Sequence, residues 1–138
     1  MAGAVERAGA VPVAEGEDPW TEDELAEVRE ELEFDIKRME RAIATAERGL
    51  ERLFDDGTEG AGRDPADVGS TNFERDQEMS LVANARELLE QAQTALKRFD
   101  SGRYGWCEAC GQPIGKDRLL VFPRATMCLT CKQREERR

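Results

Sequence analysis

Two C-x-x-C pairs, Cys107-Glu108-Ala109-Cys110 and Cys128-Leu129-Thr130-Cys131, stand seventeen residues apart and are the residues of this chain best suited to chemistry. Each pair can present two thiolates to one metal from a single turn. The stretch between them is long enough for a hairpin that returns the second pair to the first. The spacing falls in the range of tetrahedral zinc sites. Zinc takes four sulfurs at about 2.3 Å in a closed, structural arrangement. The chain contains no His, and the two pairs use every cysteine, so no coordination position is left for a reactive water. One structural Zn2+ is expected on Cys107, Cys110, Cys128 and Cys131, with no catalytic residues and no enzymatic activity.

Other uses of these sulfurs need contexts the sequence does not offer. Two disulfides would require an oxidising compartment. Residues 8–14 (AGAVPVA) are apolar but contain Gly and Pro and follow Glu6, unlike the basic start of an export signal; a cytoplasmic location is expected. A redox C-x-x-C would sit in a βαβ pattern, which is absent.

Elements must position this cluster, and composition limits what they can be. Charged residues make up 36% of the 138 residues and aromatics only 6%, too few large apolar groups for a thick globular core. No run approaches the ~18 apolar residues of a membrane span. A long helical element with a small metal-stapled module fits, because a module of roughly 38 residues is below the size at which a core suffices. The net charge of −10 is uneven: residues 1–100 hold 26 Asp and Glu against 12 Lys and Arg, whereas residues 101–138 hold 4 against 8. An acidic arm of this size opposes phosphate-driven DNA binding.

Residues 1–20 lack periodicity and are expected to form a disordered tail. A helix should start at Thr21, with Glu24 completing a capping box and Trp20 stapled onto Leu25. Leu25, Val28, Leu32, Ile36, Met39, Ile43, Ala46, Leu50 and Leu53 then recur in steps of three and four, one buried stripe. Glu33 and Lys37 suggest an i,i+4 pair, and Gly57 a C-terminal cap. The glycine-rich stretch 57–70 breaks the pattern. Thr71 and Glu74 offer a second capping box, and the stripe resumes at Met79, Val82, Ala85, Leu89, Ala92, Leu96 and Phe99. The expectation is mainly α: an antiparallel coiled-coil hairpin over 21–100 with a tip loop at about 57–72, pairing Phe99 with Val28. A four-cysteine, zinc-ribbon-like module follows over 101–138. Within it Leu119-Leu120-Val121-Phe122 reads as a strand ended by Pro123, and Cys128 onward as a short terminal helix. Tyr104 and Trp106 read as packing residues beside the zinc hairpin. Arg124, Lys132, Arg134, Arg137 and Arg138 read as a solvated face that balances thiolate charge.

The run Phe99, Gly102, Tyr104-Gly105, Cys107-x-x-Cys110-Gly111, Ile114, Arg118-Leu119, Pro123, Ala125, Cys128-x-x-Cys131-Lys132 resembles the DksA/TraR-type zinc-finger family of bacterial RNA polymerase regulators. The resemblance is dense over about 35 residues and extends in shape to roughly 21–138. It implies a coiled-coil arm inserted into the polymerase secondary channel, where members alter promoter-complex stability through acidic residues in a D-x-x-D-x-A tip motif. Asp64 and Asp67 match that motif, while Gly69 stands where the family has Ala, which loosens the backbone. Asp64-Pro65 is also a common helix start in its own right. Some members bind guanosine tetraphosphate with polymerase through basic residues. Lys132 matches one, but Gln91 and Phe122 occupy the other two positions and supply no cation, so alarmone dependence is not expected.

The resemblance thus implies a monomeric transcription regulator that binds RNA polymerase, with Asp64 and Asp67 as partner-binding tip residues, and with no membrane or strong direct DNA contact expected. Two other readings stay open. A zinc-ribbon nucleic-acid-binding module with a coiled-coil dimerisation arm would show steep salt dependence. A zinc-dependent scaffold would tolerate every tip substitution.

Overall fold

A computed structural model describes residues 11–58 and 65–137 of the chain. Four helices follow in order: α1 Glu22–Thr58, α2 Pro65–Asp100, α3 Lys116–Val121 and α4 Leu129–Glu136. Among the described residues the only β-type pairing is an isolated antiparallel bridge between Trp106 and Pro113, and no helix is long and apolar enough to cross a membrane. The architecture is the expected one, mainly α, with two long helices forming an antiparallel hairpin beside a small four-cysteine module.

The start of α1 is written in its local sequence. Glu24 N donates to Thr21 Oγ1 at 3.1 Å, and Thr21 N donates back to Glu24 Oε1 at 3.0 Å. This reciprocal capping box satisfies two of the amides a helix start leaves free. Glu22, Asp23 and Glu24 place negative charge on the first turn, where the helix dipole favours it.

Two compact units divide the chain, one made of residues up to Ile36 and from Glu90 onward, the other of Lys37–Leu89. In the first, Trp20, Leu25, Val28 and Leu32 pack with Ala95 and Phe99 of α2 and with Tyr104, Cys107, Ile114 and Leu119. Val28 and Phe99 therefore share one buried cluster, with Trp20 and Leu25 in it as well. Arg29 grips Asp100 through two contacts of 3.2 Å. Glu33 bridges back to Arg29, a turn earlier than the expected partner Lys37.

In the second unit, Arg86 pairs with Glu47 across the two helices, and Glu78 lies against Gly49. Met39 is buried there. Met79, counted in the apolar stripe, is 51% exposed.

The structure departs from expectation in four places. Helix α1 continues through Gly57 to Thr58, and α2 already begins at Pro65, so Thr71 lies inside a helix and the intervening segment is 59–64. A proline, which needs no amide partner at N1, starts the helix ahead of the later capping box. Leu119–Val121 belong to α3 instead of a strand; Leu119 is fully buried, and burial overrides the β propensity of the run. Residues 11–20 are not a disordered tail: Val11 and Val13 pack on the core, and Trp20 is 4% exposed. Residues 1–10 lie outside the described residues.

Candidate metal centre

The first cysteine pair sits on a knuckle built by backbone hydrogen bonds. Ile114 N donates to Gly105 O at 2.8 Å, Cys107 N to Gln112 O at 2.8 Å, and Gly111 N to Cys107 O at 2.9 Å. Gly111 closes the turn with φ +74°, a conformation other residues adopt at a cost. Arg98 of α2 donates to Trp106 O at 2.7 Å, fastening the knuckle to the long helix.

The second pair sits at the start of α4. Cys128 is its N-cap and Cys131 lies in the first turn, where amide donors and the dipole favour thiolates. Three contacts join the halves: Glu108 N to Thr126 O at 2.9 Å, Thr126 Oγ1 to Glu108 Oε1 at 3.2 Å, and Arg118 Nε to Met127 O at 3.2 Å. The Tyr104 hydroxyl donates to Pro123 O at 2.7 Å inside the core.

These elements bring all four expected ligands together. The sulfurs of Cys107, Cys110, Cys128 and Cys131 lie within 4.8 Å of one another, and Cys110 and Cys128 are 3.9 Å apart. Four sulfurs at about 2.3 Å from zinc stand about 3.8 Å from each other at tetrahedral corners. The donor set fits one structural zinc ion.

The electrostatics favour the same ion. Burial opposes a charge on Cys107, but the backbone amides of Cys128, Cys110 and Ala109, with the Cys110 thiol, bring it down to about 6. The Cys131 thiol moves the other way, pushed up to about 12, first by the thiol of Cys128, then by burial and by the other two sulfurs. One negative charge is welcome in this pocket and further ones repel each other. A divalent cation relieves that repulsion and holds all four as thiolates.

The other residues singled out by the sequence are more scattered. Tyr104 is buried, while Trp106 is 39% exposed. Within the expected basic face, Arg124 approaches Asp35 at 3.9 Å and Lys132 approaches Glu135 at 3.9 Å. Phe122 is half exposed and lies 5.7 Å from the Arg118 guanidinium. Asp64 lies outside the described residues, as does the side chain of Asp67, whose backbone belongs to α2. The expected tip pair therefore falls outside the described residues.

Glu17 was missed by sequence reasoning. Its carboxylate accepts from Lys116 N and Asp117 N at 2.8 Å each and from Ala14 N at 2.6 Å. Lys116 in turn reaches Glu24 at 2.7 Å and Pro19 O at 3.3 Å, and lies 5.7 Å from the Trp20 ring centroid. The only hint in the sequence is the pair of prolines, Pro12 and Pro19, which restrict the backbone around this carboxylate.

These features recur in known proteins. Residues 102–137 match the model of the prokaryotic dksA/traR C4-type zinc finger. A protein named RNA polymerase-binding transcription factor DksA from Caulobacter vibrioides is 40% identical over 75 residues, 54% of this chain and 53% of the relative. The protein of the same name from Haemophilus influenzae is 31% identical over 93 residues, 67% of this chain and 63% of the relative. The matched stretch thus spans between half and two thirds of these relatives. The structure of transcription factor DksA2 from Pseudomonas aeruginosa superposes with a TM-score of 0.66 at 30% identity, covering 83% of this chain and 84% of that one.

Proposed function

The chain belongs to the DksA/TraR family of C4-type zinc-finger proteins, and from that premise we propose that it regulates transcription by binding RNA polymerase directly. The observation that carries the reading is the combination of a four-sulfur centre with two long helices, with Asp64 just before the second helix in sequence and Asp67 in that helix's first turn. The similar proteins from Caulobacter vibrioides and Haemophilus influenzae are named RNA polymerase-binding transcription factors.

In the finer reading, the helical hairpin enters the secondary channel of polymerase and carries Asp64 and Asp67 toward the active-site region. Carboxylates there would act on magnesium or on basic polymerase groups with little water to screen them. The protein modulates promoter-complex lifetime without catalysing a reaction. It works as a cytoplasmic monomer and without guanosine tetraphosphate, since Gln91 and Phe122 replace cationic positions. The acidic balance of residues 1–100 steers it toward a basic channel mouth and away from free DNA.

Pull-down with purified RNA polymerase, combined with competition by another secondary-channel protein, tests this reading. Saturable binding that the competitor displaces is the expected result. Absence of binding, or binding that the competitor leaves untouched, overturns it. The Asp67→Asn variant should keep polymerase affinity yet change promoter-complex lifetime; an unchanged lifetime removes Asp67 from the mechanism. The positive balance of residues 101–138 favours one second reading, nucleic-acid binding by the zinc module. That reading requires an affinity for DNA or RNA that falls steeply with salt.

A further inference from the structure

Gly105 and Gly115 close the base of the knuckle that carries Cys107 and Cys110. Ile114 N bonds to Gly105 O, and Trp106 pairs with Pro113 just inside them. Both glycines are buried and both have positive φ, +92° and +107°. Both also lie against the chain segment 11–17. A Cβ on Gly105 would come within 2.9 Å of Pro12 Cδ and 3.0 Å of Val11 Cγ1; one on Gly115 would meet Glu17 Oε1 at 3.5 Å and Ala14 Cβ at 3.6 Å. At Gly105 the close approach, added to the positive φ, leaves room only for glycine.

A single carboxylate joins this segment to the start of α3, immediately after the knuckle. Glu17 accepts from its own strap at Ala14 N and from Lys116 N and Asp117 N, the first amides of α3. Its carboxyl is held below the usual carboxylate range, chiefly by the Asp117 amide. The indole N–H of Trp20 donates to Pro12 O at 3.3 Å, which folds the strap back on itself.

We propose that residues 11–20 form a latch on the metal centre, with Glu17 as a positioning residue that keeps the Cys107–Cys110 knuckle closed on zinc. A thiolate leaves the ion only when its knuckle moves. With both strands of the knuckle pinned at their base, a sulfur that lets go stays close and recaptures the metal before a second bond breaks. Outer groups that fix ligand-bearing segments commonly change metal affinity by about 10–100-fold. The coupling is reciprocal: zinc fixes the backbone amides that Glu17 grips, so the bound ion also steadies the strap. The latch rests on the four-sulfur centre and is independent of polymerase binding.

The test measures zinc transfer from the full-length, zinc-loaded chain to the chromogenic chelator pyridylazoresorcinol, alongside amide hydrogen exchange at Lys116 and Asp117. Glu17→Ala should speed zinc release about tenfold, the lower end of outer-shell effects, and should expose both amides to exchange. Arg29→Ala, which cuts the Asp100 bridge in the same unit without touching the strap, should release zinc at the wild-type rate. The latch is overturned if Glu17→Ala releases zinc at the wild-type rate or leaves the two amides protected. It is equally overturned if Arg29→Ala accelerates release as much. Should Glu17→Ala lose zinc during purification, Trp20→Phe, which removes the indole donor to Pro12, serves in its place. A smaller acceleration supports the latch and an unchanged rate rejects it.

Discussion

Tyr104 donates its hydroxyl proton to the carbonyl of Pro123 across 2.7 Å, tying the approach to the first cysteine pair to the segment that leads to the second. Both residues are buried, so the carbonyl has no water to replace this donor. Tyr104→Phe should therefore cost about 1–3 kcal/mol, the range for a buried polar group left without its partner. Equilibrium unfolding of the zinc-loaded protein in denaturant measures it; a loss under about 0.5 kcal/mol would be no more than an ordinary surface change and would contradict the prediction.

The same phenol gives a spectroscopic prediction, because the chain has a single tyrosine. Burial first, and the charge of Glu31 second, raise its pKa well above the ordinary 10.0. A raised folded value means the contribution to stability is complete below pH 10 and is lost as pH rises through the folded pKa. Phenolate absorbance should thus appear together with loss of ellipticity. Titration at the ordinary value with the fold intact would refute it.

Zinc removal should dismantle the module around residues 102–137, where the matched finger lies. Cys110→Ser leaves three thiolates, and zinc content should fall from one equivalent to well below half. Acid should act in the same direction, since each ligand must shed a proton to bind and affinity weakens as pH drops. Full zinc retention at about pH 3 would be incompatible with thiolate ligation.

Core and surface leucines should separate cleanly. Leu32 is fully buried, whereas Leu81 is 59% exposed. Leu32→Ala should cost about 2–5 kcal/mol through lost burial and the cavity left behind. Leu81→Ala should change stability by less than about 0.5 kcal/mol. Denaturation midpoints for the pair decide it, and equal losses would mean the burial pattern is wrong.

At the start of α1, Thr21→Ala removes the oxygen that accepts from Glu24 N. The expected loss is about 1 kcal/mol, the usual value for an N-cap. A thermal melt indistinguishable from wild type would show that the cap adds nothing in this fold.

The zinc ligands, the capping box and the apolar stripes that carry Val28 and Phe99 into one cluster were legible in the residues, since each follows from short-range chemistry. Donor type and spacing select four thiolates for zinc. Side-chain reach selects Thr21 and Glu24, and the 3.6-residue period selects the stripe. Local signals also misled. Gly57 and Thr71 carry plausible helix boundaries, yet both lie inside helices. Leu119–Val121 carry strand propensity, yet the depth of Leu119 and the grip of Glu17 on Lys116 and Asp117 make the segment a helix.

The strap shows why the remainder stayed hidden. Its hydrogen bonds from Glu17 span 99 and 100 residues, and no periodicity, spacing or propensity connects positions so far apart. Short-range chemistry was enough to name the metal and the helices. Which backbone amides would lie bare beside Glu17, and which glycines would lie beneath Pro12, depended on how the long helices brought the two ends of the chain together.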